Sequence, residues 1–184
     1  MDENLYAPPT AVVADITPIQ DDAGLLFFAV SPFKLALMSI CTLGLYQVYW
    51  FYKHWALIRE RSEPHIIPWG RAIFGVFWCY SCFKFIREDE RRLGVAPALP
   101  AGPLAIVWIV VTLTSRLPPP YVLICFLSPL PLVQVQRHIN HINGLVAPDH
   151  DRNTRLSAWN WIAVVVGGIF LGLVLLGLAL PRPG

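Results

Sequence analysis

The chain reads as an all-α integral membrane protein, a helical bundle of four to five membrane segments. Three observations lead there. Trp159–Leu180 is apolar from end to end and carries no charge; at roughly 1.5 Å per residue, about 20 such residues cross the hydrocarbon core of a bilayer. Hydrophobic residues make up 55% of the sequence and charged residues 14%, with a mean hydropathy of +0.53. Soluble domains carry about a quarter charged residues, so lipid has to cover much of this chain's surface. Tyr46, Tyr49, Trp50, Tyr52 and Trp55 cluster at the end of another apolar run, as aromatic residues do at a membrane–water interface.

Residues 1–24 form a disordered acidic leader. Asp2, Glu3, Asp15, Asp21 and Asp22 stand where a secretory signal needs basic residues, and Pro8, Pro9 and Pro18 oppose a helix. Residues 25–184 form a single helical membrane domain.

Its first segment runs from Phe33 to Tyr52, with Leu25–Val30 leading in. Pro32 suits a helix start because its missing N–H would be unpaired there. Lys34 snorkels outward from that end. Thr42 can bond back to its own helix, and Gly44 permits close helix approach. Beyond Tyr52 the helix emerges into water as a basic extension bearing Lys53, His54, Arg59 and Arg61.

Ser62–His65 breaks that helix. Ile66–Ile86 is apolar but carries Pro68, Arg71 and Lys84, and an Arg in mid-membrane costs about 2.5–3.5 kcal/mol. It either crosses or dips in and returns. Arg87–Arg92 is a solvated polar stretch in which Glu88 and Arg92 stand four apart. Leu104–Ser115 and Tyr121–Val135 read as a helical hairpin around Pro118–Pro120, kinked by Pro129 and Pro131; a re-entrant pair is the alternative. Gly144–Leu156 is a polar loop. In the last span Gly168 and Gly172 make a GxxxG, which lets another helix approach, from the same chain or from a second one.

Basic residues near segment ends favour the cytoplasm. If every apolar segment crosses, the basic stretches Lys53–Arg61 and Lys84–Arg92 fall on opposite sides. If Ile66–Ile86 dips and returns, they share one face with Arg137, Arg152 and Arg155, and only Lys34, Arg116 and Arg182 lie opposite. The dipping arrangement is the better fit. It leaves four spans, with both termini on the far side.

Chemistry is sparse. A net charge of +2 does not point to nucleic acid. Acidic residues occur only in the leader and the polar stretches, whereas proton relays and ion-coupled sites use intramembrane carboxylates. No P-loop, G-x-S-x-G or dinucleotide fingerprint is present. Cys79 and Cys82 have C-x-x-C spacing without the further ligands of a zinc site and read as helix-packing residues. No cofactor and no metal is expected. Tyr46, Tyr49 and Lys53 share a helix face; with Arg59, Arg61 and Arg71 they are candidates for a lipid-headgroup or ligand platform. Gln136–Asn143 places His138, Asn140, His141 and Asn143 on neighbouring helical positions, a candidate polar cluster. A metal there would need a third ligand such as His54, His65 or His150.

The run Thr42-Leu43-Gly44-Leu45-Tyr46-Gln47-Val48-Tyr49-Trp50 resembles a T-x-G-x-Y-x-x-Y-W signature of small bacterial inner-membrane proteins. Pro68–Phe74 looks like a second block of the same group, and Asn4–Pro9 is similar to an N-P-Y-A-P-P leader with Leu5 in place of proline. The resemblance implies a multi-pass protein of the cell inner membrane and carries no activity with it. The expected function is structural, accessory or sensory. The alternatives are a membrane enzyme or lipid-handling protein working at the headgroup level through Arg71, His138 and His141, and a small oligomeric channel. Expected partners are membrane lipids, anionic ones included, with a second copy or another membrane protein beside them.

Overall fold

The computed structural model describes residues 24–118 and 121–179, and among these no strand occurs. Residues 1–23 of the acidic leader lie outside the described residues. Seven α-helices follow in order: α1 Pro32–Cys41, α2 Leu45–Arg61, α3 Pro68–Ile73, α4 Gly75–Arg92, α5 Ala101–Leu113, α6 Pro129–Val146 and α7 Ala158–Ala179, with 3₁₀ turns at Thr114–Arg116 and Tyr121–Leu127. Two segments, Tyr121–Val146 and Ala158–Gly177, are long and apolar enough to cross a membrane.

The expected first span is not one helix. Leu43 and Gly44 take left-handed backbone angles, φ 52° and 90°, and the chain reverses there. Gly44 N–H donates to Ser39 O at 2.8 Å, ending α1. Thr42 serves both helices: its hydroxyl donates to Met38 O and accepts from Tyr46 N–H, starting α2. A Cβ on Gly44 would meet nothing within 4 Å. Its role is the turn, not the close helix approach expected of it.

The reversal is visible in the contacts at the other end. Gln136 bonds both Phe28 O, ahead of α1, and Trp50 Nε1, within α2. The Arg61 guanidinium lies 4.8 Å from the Phe27 ring centre. The start of α1 and the end of α2 therefore sit together, and α1/α2 is a hairpin.

Helices α3 and α4 make a second excursion. Pro68 opens α3 at its first position, and the chain turns again at Phe74. Arg61 Nη1 and Asp89 Oδ2 meet at 3.1 Å, so residues 62–88 leave and come back to the same end. The segment therefore begins and ends at the same end of the bundle. Helices α5 and α6 form a third hairpin. Pro129 and Pro131 do not kink it: Pro129 stands at the helix start, where a missing N–H costs nothing.

Lys34 corrects the charge map. Its ammonium donates to Asn153 Oδ1 and Arg155 O, both at 2.8 Å, so it lies with the basic loops and not opposite them. The segment Phe27–Lys34 thus starts from the basic end, the reverse of the expected far-side start.

The core is one cluster built on Trp50, Phe51, Trp55, Phe83, Leu132 and Ile139, all essentially buried. Phe51 stacks on Phe83, and the edges of Trp50 and Trp108 meet Phe51 at 5.0 Å between ring centres. Helix α7 stands apart. One face lies on α1, where a Cβ on Gly167 would fall 1.8 Å from Cys41 O. The space beside Gly168 and Gly172 is open. Within the chain the close approach belongs to Gly167, one residue before the expected motif.

Candidate functional site: the polar end of the bundle

The three hairpins open toward one end, where most of the polar side chains of the core collect. Phe27–Val30 runs through it without regular structure, so its peptide groups need outside partners. Helix α6 supplies them from positions i, i+4 and i+7. Asn143, fully buried, accepts from Phe27 N–H at 3.2 Å and donates to Phe27 O at 2.8 Å. Asn140 donates to Val30 O, and Gln136 to Phe28 O. Gln136 and Asn140 are joined at 2.8 Å, and Trp50 Nε1 donates to Gln136 at 2.6 Å. From the following loop Asn153 donates to Ala29 O. The Asn residues of the expected polar cluster are a clamp on the chain's own backbone.

The histidines of that cluster part company. His138 Nδ1 lies 2.5 Å from Glu90 Oε1, while His141 is exposed. Glu90 is completely buried, although the sequence places it in a stretch read as solvated. Its second oxygen accepts from Leu99 N–H at 2.5 Å. One carboxylate therefore ties the end of α4 to the lead-in of α5 and to α6. The expected Glu88–Arg92 pair is replaced by Lys84–Glu88 at 3.6 Å and Arg92–Asp89 at 3.2 Å.

The platform candidates are partly brought together. Tyr46 and Tyr49 have ring centres 5.6 Å apart, Tyr49 meets Phe28 edge-on at 5.7 Å, and Lys53 lies 5.9 Å from the same Phe28 ring. Arg61 is engaged by Asp89 and Phe27. Arg71 lies 4.6 Å from Trp55 and 4.3 Å from Trp78, held between two indole rings. Arg59 remains exposed.

His54, considered from the sequence only as a third ligand for a metal, takes a different place. It is fully buried among Phe27, Phe28 and Trp50, its ring 4.1 Å from that of Trp50, and neither ring nitrogen has a partner among the described residues. Burial, with the Arg61 charge adding to it, pushes its pKa down to about 3. At neutral pH it is an uncharged aromatic packing piece.

The enzyme alternative built on Arg71, His138 and His141 calls for these residues, with His54 and His65, to face one cavity. They do not: His54 is in the core, His138 is on Glu90, Arg71 is between indoles, and His65 and His141 are exposed. Among the described residues no group of three or more His, Cys, Asp or Glu side chains could hold a metal ion. Cys79 and Cys82 are both buried as free thiols.

Comparison with protein-family models, with curated proteins and with solved structures finds no match to this chain.

Proposed function

We propose that the chain is a multi-pass protein of the bacterial inner membrane with a structural, accessory or sensory role. The observation that carries this reading is the surface of α7. From Trp159 to Leu176 its large apolar side chains are exposed, among them Trp159 at 78%, Val166 at 62% and Leu173 at 63%. Ten or more such residues on one helix cannot face water without a large hydrophobic penalty. Lipid tails satisfy them, and the two tryptophans at its start suit a headgroup layer. The resemblance at Thr42–Trp50 supplies the bacterial inner membrane.

The charge distribution supports the same reading. Of the described Lys and Arg residues, Arg116 alone sits at the turn joining α5 and α6, away from the basic end. In this orientation the Tyr121–Val146 segment and α7 have the length to cross, the shorter apolar Ala101–Arg116 lies beside them as the other arm of its hairpin, and α1/α2 and α3/α4 enter from the cytoplasmic face and return. Arg59, Arg91 and Arg152 are exposed at that face and make no ion pair among the described residues. They are the groups offered to anionic headgroups, at about 1 kcal/mol per residue near the surface.

Alkaline carbonate extraction of membranes from expressing cells tests the membrane reading: the full chain should stay in the pellet, and release into the supernatant would reject it. Replacing Arg59, Arg91 and Arg152 together by Gln should reduce co-purified phosphatidylglycerol and cardiolipin. Unchanged bound lipid would reject the headgroup contact and leave the three residues as orientation signals.

A further inference from the structure

At the basic end of the bundle a half-open groove of about 410 Å³ lies between the start of α1, helix α6 and the loop that leads into α7. That is within the range of small-molecule sites, roughly 300–1,000 Å³. Ser31, Asn140, His141, His150, Arg152 and Thr154 line it, and no Asp or Glu is among the lining residues.

The walls are fixed by contacts of the chain with itself. Asn140 is held by Val30 O and Gln136. Ser31 caps α1, its Oγ accepting from Lys34 N–H at 3.2 Å. In the loop, Asn153 stands between Arg152 and Thr154 and is pinned three ways. Its side chain accepts from Lys34 Nζ at 2.8 Å and donates to Ala29 O at 3.2 Å, and its N–H donates to Asp151 Oδ1 at 2.8 Å. His150 Nδ1 meets Ala147 O at 2.6 Å and its Nε2 is inaccessible, so this ring shapes the loop and is not a contact for a ligand.

Arg152, His141 and Thr154 are the reverse case. All three are exposed, and their side chains make no hydrogen bond or ion pair among the described residues. A guanidinium, an imidazole and a hydroxyl on a pinned scaffold, with no carboxylate in the lining, are a donor set for an anion. The planar fork of an arginine matches a phosphate with two parallel hydrogen bonds. The loop runs on into Trp159 and Trp161, residue types that collect at the headgroup layer.

We propose that this groove binds a phosphate group, Arg152 supplying the charge and His141 and Thr154 the further donors. The source is a phospholipid headgroup or a soluble phosphate ester. The inference deepens the headgroup contact proposed for Arg152, and it rests on the membrane reading for the lipid source only. It differs from diffuse attraction to a basic face in needing neutral donors and an open groove.

Native mass spectrometry of the full chain in dodecyl maltoside tests the site, with dilauroyl phosphatidylglycerol as the probe. Arg152→Gln should weaken binding about tenfold, the loss of a charge-assisted hydrogen bond, and Arg59→Gln should cost clearly less. Thr154→Val and His141→Leu should each weaken it about two- to tenfold. Thr154→Trp fills the groove with every charge retained and should cost as much as Arg152→Gln, while melting stays as in the parent. Displacement of the lipid by glycerol phosphate assigns the site to a soluble ester, and retention assigns it to the headgroup; both uphold the phosphate site. Parental binding in Thr154→Val and Thr154→Trp, equal losses in Arg59→Gln and Arg152→Gln, or equal binding of dilauroylglycerol, which has no phosphate, would overturn the proposal. Any of these in a chain that still resists carbonate extraction leaves the membrane reading standing.

Discussion

Arg61 and Asp89 are 28 positions apart and form an ion pair at 3.1 Å. Everything between them is therefore an excursion that returns. The pair is partly exposed and contributes little energy, about 0–1 kcal/mol. Its value is geometric, because it places the ends of α2 and α4 side by side. The Gln136 side chain does the same for Phe28 and Trp50. Together the two contacts turn a chain that looks like a row of crossings into hairpins opening at one face.

Glu90 holds three elements at that face, and its loss should be felt as global instability. Glu90→Ala leaves the Leu99 N–H buried without an acceptor and His138 without its carboxylate. A buried donor left without its hydrogen-bond partner costs about 1–3 kcal/mol. Glu90→Gln keeps an acceptor for Leu99 and should cost clearly less. Thermal melting of the purified protein checks the order. Equal melting of Glu90→Ala and the parent would show that the carboxylate holds nothing.

The contact of α1 with α7 should depend on Gly167 and not on its neighbour. A Cβ at Gly167 would overlap Cys41 O, so Gly167→Ala has to move one backbone. Overpacking of this kind costs about 1–3 kcal/mol. Gly168→Ala meets open space and should melt as the parent does. If Gly168→Ala lowers the melting point and also changes oligomer size, the GxxxG serves contact with a second copy.

His54 should make stability depend on pH. Its pKa is about 3 when folded and 6.5 when free, so between these values the unfolded chain binds the extra proton. The stabilisation is fully present above pH 6.5 and is lost as pH falls toward 3. His54→Phe should flatten this part of the profile of melting temperature against pH. A His54→Phe profile identical to the parent's between pH 6.5 and 4 would refute the assignment.

How much of this was legible in the sequence differs from element to element. Helix α7 was readable because one uninterrupted apolar run carries its own evidence. The return of residues 62–88 is the arrangement that charge favours, since it puts Arg59–Arg61 and Arg87–Arg92 on one face, and the Arg61–Asp89 contact brings those two ends together. The break at Thr42–Gly44 is not legible, because hydropathy stays high straight through it; the one local signal is a Thr and a Gly flanking Leu43, and in an apolar run a glycine reads equally as a packing residue. Gln136, Asn140 and Asn143 showed their helical spacing, but their partner is the backbone of Phe27–Val30, which no side-chain pattern announces. Glu90 looked solvated beside Glu88 and Asp89. What buries it is His138 and Leu99, one of them 48 positions away.

The central claim is that three hairpins open at one face of a membrane. Single cysteines at positions 59, 91, 116 and 152, in a chain whose native cysteines are replaced, test it most directly. A membrane-impermeant maleimide is applied to intact spheroplasts and to inverted vesicles. Positions 59, 91 and 152 should react only in inverted vesicles, and position 116 only in spheroplasts. Reaction of 59 and 91 from opposite sides would contradict the account, because residues 62–88 would then cross the bilayer.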